Sequence, residues 1–135
     1  MKYLSDYIDE GTKGLNDKHK VFFAFNEEQF SEGVNKYNLN CDDVKGGGSG
    51  IYGLPEGLQG YYKDFSDAHD KAVTQDIKDN GLDAIIQREL MNYEAHLSYD
   101  LINVKTALGW YKITDEHFNK QYDIFIQYCS DNNLF

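Results

Sequence analysis

The only proline of the chain, Pro55, opens a long stretch without a helix-breaking signal, which ends at Asn80 just before Gly81. Proline suits the first turn of a helix because its missing N–H is not needed there, and glycine is the usual residue just past a helix end. Apolar side chains recur between them at intervals of three and four residues, as on one face of a helix. They are Leu58, Tyr61, Tyr62, Phe65, Ala68, Ala72, Val73 and Ile77. The sequence therefore predicts one long helix from residue 55 to residue 80.

Three further stretches also have helical spacing. Apolar residues restart at Leu82 and continue to Leu97, which predicts a second helix that reaches Asp100 and neighbours the first, because the connection is short. Thr114 is a typical N-cap, so a final helix is expected after it. An amphipathic helix is predicted over residues 2–18, with its second half weakened by two glycines.

The β-structure is predicted to be small. The run VFFAF, residues 21–25, is short, apolar and rich in β-formers, as in a buried strand. Asn26 caps a short helix that is expected to stop at Gly33, and a glycine-rich loop over residues 45–53 leads to a very short strand at Ile51. That loop lacks the Gly-Lys-Ser/Thr ending of a phosphate-binding loop.

These elements predict an α+β fold, mostly helical, with three to four main helices and a small β element near residues 21–25. At 135 residues the chain fits one domain, residues 1–135. The expected core residues are Phe22 or Phe23, Phe65, Ile86, Leu90, Phe118 and Phe125.

The charge balance limits the possible partners. The chain carries 13 basic and 23 acidic residues, a net charge of −10, and Arg88 is its one arginine. Nucleic-acid binding proteins neutralise phosphates with arginine and lysine, so direct nucleic-acid binding is not expected. An acidic protein is suited to a partner with a basic surface. Eleven tyrosines favour a protein interface, where tyrosine is enriched.

Several kinds of site are not expected. Cys41 and Cys129 form no C-x-x-C pair and have no histidine at zinc spacing, so reduced thiols without a metal are predicted. No cofactor is expected either. No apolar run approaches the roughly 20 residues of a membrane span, and the N-terminus has no apolar signal core. A cytoplasmic protein without a membrane partner is therefore predicted.

The stretch RELMNYEAHLSYD, residues 88–100, concentrates polar chemistry. On a continuous helix Glu89, Asn92 and His96 would share one face, where they could form a proton-transfer site. The alternative is a structural or partner-binding face without catalysis, and this is the preferred interpretation. Arg88 is expected to form a hydrogen-bonded ion pair with a nearby carboxylate such as Glu89, Glu94 or Asp100.

Three segments carry a family resemblance: VFFAFNEEQFSEG, KAVTQDIKDNGLDAIIQRELMNYEAHLSYD and ALGWYKITDEHFNKQY. They resemble a small uncharacterised family of gut bacteria, their phages and their mobile elements, from the N-terminal helix to about Tyr122 except residues 34–50. The chain departs from the family pattern at Tyr93, where the pattern has histidine, and at Tyr99, where it has glycine. If that histidine were a general base, this member would be inactive. The resemblance implies no assigned activity.

The functional hypothesis combines this resemblance with the charge. We expect a non-enzymatic phage or mobile-element protein that inhibits a nucleic-acid-handling host defence protein, such as a restriction nuclease or a CRISPR effector. The alternatives are a protein-binding module of other purpose, or a small-molecule or nucleotide-binding protein that uses the helix of residues 88–100. The oligomeric state is left open. The candidate binding residues are Asp64, Asp67, Asp70, Tyr61, Tyr62, Glu89, Asn92, His96 and Tyr99.

Overall fold

A computed structural model describes residues 1–135 as eight α-helices, one 3-10 helix and three short strands. In chain order these are α1 (Leu4–Thr12), α2 (Leu15–His19), β1 (Phe22–Phe23), α3 (Glu27–Lys36), β2 (Lys45–Gly46), β3 (Ile51–Gly53), α4 (Pro55–Asn80), α5 (Leu82–Asn92), α6 (Ala95–Ser98), α7 (Ile102–Leu108), the 3-10 helix (Gly109–Tyr111) and α8 (Asp115–Asp131). The predicted α+β class, mostly helical with a small β element, is confirmed.

Two compact units divide the chain, unit 1 over Met1–Ala72 and unit 2 over Val73–Phe135. Helix α4 begins in unit 1 and ends in unit 2 with the bounds that the proline and the glycine predict. The expectation of one domain over residues 1–135 stays a prediction. None of the helices combines the length and the apolar character of a membrane span.

Unit 1 contains the antiparallel sheet, in the order β1-β3-β2. Phe22 pairs with Tyr52 and Phe23 with Ile51 across the first two strands. Beside the sheet lies a small core of Val21, Ile51 and Leu58, against which Tyr61 packs. The sheet and the first half of α4 therefore share one apolar cluster.

Helix α3 continues past Gly33 to Lys36, so the predicted stop at Gly33 is wrong. The reason is packing. A Cβ atom on Gly33 would lie 2.1 Å from Cδ2 of the Phe22 ring, which shows that the ring occupies the space of the missing side chain. The same ring stacks on Tyr52 and meets Phe30 edge-on, with centroids 5.9 and 5.8 Å away. Gly33 thus serves the close approach of α3 to β1.

The buried strand predicted over residues 21–25 is present, but it is shorter than predicted and buried on one side only. Only Phe22–Phe23 form the strand; Phe22 and Ala24 are buried, whereas Phe23 is 49% and Phe25 is 77% exposed. Side chains alternate between the two sides of an extended backbone, and only one side of this segment is covered. Phe65, predicted as a core residue, is also outside the core at 38% exposure.

Unit 2 packs α5 against α8, and the predicted core residues Ile86, Leu90, Phe118 and Phe125 are all buried. The predicted cap of α8 is confirmed, because the Thr114 hydroxyl accepts a hydrogen bond from the backbone N–H of His117 at 3.2 Å.

The helix predicted from Leu82 to Asp100 is not continuous. Helix α5 ends at Asn92, and Glu94 and Tyr99 adopt left-handed backbone conformations with φ of 48° and 55°. Tyr93 and Leu97, which continue the apolar spacing in the sequence, are 39% and 53% exposed. The break rotates them away from the face that Ile86 and Leu90 bury. The N-terminal helix predicted over residues 2–18 is likewise divided, into α1 and α2.

Replacing Gly33 by alanine should destabilise the protein, although alanine is the better helix former. The added methyl group overlaps the Phe22 ring, and overpacking of this kind costs about 1–3 kcal/mol. Urea unfolding followed by circular dichroism measures the change.

Gly109→Ala is the matched control. Gly109 also has a right-handed helical backbone, with φ −56° and ψ −31°, but nothing lies within 4 Å of the added Cβ. This variant should keep its stability or gain up to about 1 kcal/mol. Equal behaviour of the two variants would contradict the close packing of α3 on β1.

Candidate functional site

A cluster of buried charges in unit 2 surrounds Arg88. The guanidinium group donates two parallel hydrogen bonds of 3.0 Å to the carboxylate of Asp76, and its Nε donates to Glu89 at 3.0 Å. The Tyr111 hydroxyl and the Asn80 amide also donate to Asp76, at 2.5 and 2.8 Å. We call these five residues the Arg88 cluster. The expected ion pair of Arg88 with Glu89 is present, but the bidentate partner is Asp76, which the sequence did not indicate.

Hydrogen bonds within the Arg88 cluster favour the charged forms of Asp76 and Arg88 and the neutral form of Tyr111. Burial alone would raise the pKa of Asp76, but the hydrogen bonds from Arg88, Tyr111 and Asn80 outweigh it and lower that pKa. Burial opposes the charge of Arg88 too, and its hydrogen bonds to Asp76 and Glu89 raise the pKa nonetheless. Burial and the bond to Asp76 raise the pKa of the Tyr111 phenol. Because a general acid or base works best with a pKa near the operating pH, this cluster is suited to structure and not to proton transfer.

Glu89, Asn92 and His96 do not share one helix. Glu89 accepts a hydrogen bond of 3.5 Å from the Asn92 amide. His96 lies in α6, buried, with its ring edge-on to Phe125 at 5.6 Å and to Phe135 at 6.2 Å between centroids. Its Nδ1 atom is buried without a hydrogen-bond partner. The helical spacing that would align the three residues is therefore interrupted, and Tyr99, 68% exposed, follows the second break.

Asp64, a predicted binding residue on α4, is already paired within unit 1. Its carboxylate accepts a hydrogen bond from Lys18 Nζ at 2.7 Å and contacts His19 Nε2 at 2.7 Å. The hydrogen bond from Lys18, followed by that of His19, lowers the pKa of Asp64 to about 2. The negative charge of Asp64 therefore stabilises the contact between α2 and α4 and is not displayed to a partner.

The acidic row of α4 is discontinuous. Asp67 and Asp70 are exposed, and Lys63 lies 4.0 Å from Asp67. Asp76, which the sequence places in the same row, is fully buried in the Arg88 cluster. A surface of alternating charge and one buried carboxylate do not reproduce the continuous negative field of DNA phosphates.

Exposed aromatic rings line an open groove in unit 1, which we call the Phe23 groove. Its aromatic residues are Phe23, Tyr61, Tyr62 and Phe65, and the loop of residues 47–49 with Ile51 completes it. Tyr61 lies 5.9 Å from Tyr62 and 6.0 Å from Phe65 between ring centroids. The Tyr62 hydroxyl donates to the Gly47 carbonyl at 2.9 Å, which ties the glycine loop to α4.

A second groove, the Phe25 groove, lies further along the same segment. Its lining residues are Ala24, Phe25, Asn26, Glu27, Phe30, Gly50 and Tyr52. The Phe25 ring covers Gly50 so closely that a Cβ there would lie 2.5 Å from Cε1 of the ring. The Phe25 N–H donates to the Gln29 side chain at 2.8 Å, which fixes the backbone at the start of α3.

Residues 4–128 match a family of unknown function (DUF7659). The chain belongs to this family. The DUF7659 match includes the two grooves and the Arg88 cluster, and it agrees with the resemblance to a small uncharacterised family. No curated protein matches the chain. No solved structure matches it either.

Of the residues predicted to bind a partner, the DUF7659 fold brings Tyr61 and Tyr62 together in one groove. The sequence reasoning missed Phe23, Phe25, Phe65 and Glu27 as surface residues. Residues 22–25 are all apolar and show no alternation of apolar and polar side chains, so the sequence fits a buried strand and carries no signal that one side is exposed.

Replacing Arg88 by lysine should lower the free energy of unfolding by about 1–3 kcal/mol, because lysine keeps the charge but loses the planar fork that bonds both oxygens of Asp76. Urea unfolding of the purified variant measures this. Lys63→Met, which removes an exposed partner of Asp67, is the control and should change the stability by less than about 1 kcal/mol. An unchanged stability of Arg88→Lys would show that the cluster does not hold unit 2 together.

Proposed function

We propose that this protein acts without catalysis, by binding another protein through the Phe23 groove. The observation that carries the proposal is the exposure of Phe23, Tyr62 and Phe65 in one groove, at 49%, 46% and 38%. Scattered exposed apolar residues are ordinary, whereas a contiguous patch is typical of an interaction site. Aromatic residues are also those enriched in the buried centres of interfaces.

Contacts within unit 1 hold two rings of the groove in place. Tyr61 packs against the core of Val21, Ile51 and Leu58, and Tyr62 is bonded to the glycine loop. Preorganised side chains lose little conformational entropy when a partner covers them. Full burial of an exposed ring contributes roughly 1.5–3 kcal/mol. Phe23, Tyr62 and Phe65 are already about half covered, so each contributes the part of this that its exposed area represents.

The negative charge of the protein is proposed to guide the approach of the partner, whereas the rings hold it. The net charge of −10 favours the approach of a basic protein, and the exposed Asp67 and Asp70 lie on the helix that also carries the groove. We therefore retain, as the narrower proposal, a cytoplasmic inhibitor of a basic, nucleic-acid-handling host protein of the anti-restriction or anti-CRISPR kind. Its binding energy would come from the rings, and its carboxylates would speed the encounter.

The other candidate functions have less support. A small-molecule site on residues 88–100 would need the polar groups of Arg88 and Glu89, which are buried and already bonded to Asp76 and to each other. A proton-transfer site would need Glu89 and His96 in line, and α5 ends between them.

Site-specific photocrosslinking tests the proposal. A photoreactive phenylalanine analogue at Tyr62 should crosslink, in cells that express the protein, to one partner that mass spectrometry identifies. The adduct should disappear when Phe23→Ala and Phe65→Ala are added, because the rings that anchor the partner are lost.

The same analogue at Tyr128 in α8 is the matched control, since that tyrosine is 53% exposed and lies in unit 2. It should give no adduct of the same mass. Identical adducts from both positions would contradict the proposal, and an adduct with a second copy of the chain would show that the groove is a dimer interface.

A further inference from the structure

The Phe25 groove has a composition that differs from that of the Phe23 groove. Three aromatic residues, Phe25, Phe30 and Tyr52, line it together with one acidic residue, Glu27. Phe30 and Tyr52 meet edge-on at 5.2 Å with an angle of 83° between their planes, and Phe25 is 77% exposed. The groove thus combines one aromatic ring open to solvent, two partly buried rings and an acidic residue.

Glu27 has no basic partner within the protein. The ion pairs of the chain involve other carboxylates, namely Glu10, Asp17, Asp64, Asp67, Asp76, Asp83 and Glu89. Asn26 accepts the hydrogen bond of the Gln29 N–H and so occupies the cap position of α3. Glu27 therefore lines a groove with its negative charge uncompensated by any lysine, arginine or histidine.

The first turn of α3 carries a net negative charge although a helix begins there. The N-terminus of a helix carries about half a positive charge, and the first turn of α3 contains two carboxylates, Glu27 and Glu28. The two carboxylates outweigh the partial positive charge of the helix N-terminus, so the net charge of this turn favours a cation. Aromatic faces also attract cations through the negative charge of their π-systems, so the rings and the carboxylate select the same kind of ligand.

We propose that the Phe25 groove binds a lysine or arginine side chain of the partner protein. The ammonium or guanidinium group would bond to Glu27, and the aliphatic stem would pack on Phe25 and Tyr52. This inference rests on the proposed function, because the partner that covers the Phe23 groove brings the cation.

The two grooves meet at residues 23–25, since Phe23 lines one and Phe25 lines the other. Phe23 and Phe25 are two residues apart in the chain, so their Cα atoms lie within roughly 7 Å of each other. A lysine or arginine one or two positions from an apolar anchor can span that distance. The groove thereby gives the acidic protein a local preference for a basic partner, independent of its overall charge.

Single amino-acid probes test this without the partner. N-acetyl-arginine amide and its neutral isostere N-acetyl-citrulline amide are titrated into the ¹⁵N-labelled protein, and backbone amide shifts are recorded. Arginine should saturate shifts at Phe25, Glu27, Gly50 and Tyr52, with an affinity about five- to tenfold higher than that of citrulline. N-acetyl-lysine amide should bind at the same residues.

Glu27→Gln and Glu28→Gln form a matched pair, since both carboxylates lie in the first turn of α3 and only Glu27 lines the groove. Glu27→Gln should weaken arginine binding about fivefold or more and leave citrulline binding unchanged, while Glu28→Gln should retain at least half the affinity. Equal binding of arginine and citrulline, equal effects of the two variants, or shifts confined to other residues would overturn the inference.

The outcomes separate this inference from the proposed function. Arginine binding at Glu27 with no crosslinked protein at Tyr62 would contradict the proposed function alone, and would indicate a site for free organic cations. A crosslinked partner at Tyr62 whose affinity is unchanged by Glu27→Gln would contradict the cation site alone.

Discussion

The contact between Phe22 and Gly33 determines which side chains of the first strand reach solvent. The Phe22 ring fills the space beside Gly33 and stacks on Tyr52, so this side of the segment faces α3 and the sheet. Phe23 follows Phe22 in strand β1, so its side chain points to the opposite side. Phe23 could not turn inward without removing Phe22 from its contacts. The exposure of Phe23 in its groove therefore depends on the packing of Phe22 against Gly33.

Unit 2 depends on a different kind of interaction. Asp76 and Arg88 are charged and buried, and such a pair is stable only when its remaining donors and acceptors are satisfied. Tyr111, Asn80 and Glu89 supply these bonds. The result joins the end of α4, α5 and the 3-10 helix through one carboxylate. Removing one partner of such a pair leaves an uncompensated buried charge, which is strongly destabilising.

The sequence predicted those elements whose signals are local. Pro55 and Gly81 define the ends of α4, and Thr114 defines the start of α8, because proline, glycine and capping residues act within one helical turn. Burial of Ile86, Leu90, Phe118 and Phe125 followed from helical spacing. In each case the local preference and the packed structure agree.

The remaining features depend on contacts between distant residues. Gly33 resembles a helix stop in the sequence, and only the Phe22 ring, eleven positions earlier, gives its actual role. Asp76 resembles one more exposed carboxylate until Arg88 is placed beside it. The helix break after Asn92 has no glycine or proline to mark it, and the left-handed conformations fall on Glu94 and Tyr99. Because no local preference encodes these contacts, the sequence could not predict them, and the exposed aromatic surface was missed with them.

The central claim is that aromatic contacts in the Phe23 groove supply the binding energy, whereas carboxylates mainly guide the encounter. Titration calorimetry with the identified partner, at low and at high salt, tests it most directly. Phe23→Ala should weaken the complex more than about tenfold at both salt concentrations. Asp67→Lys combined with Asp70→Lys should weaken it only at low salt, since exposed charges are screened at high ionic strength. Loss of binding by the charge variant at both concentrations, with wild-type affinity for Phe23→Ala, would contradict the account.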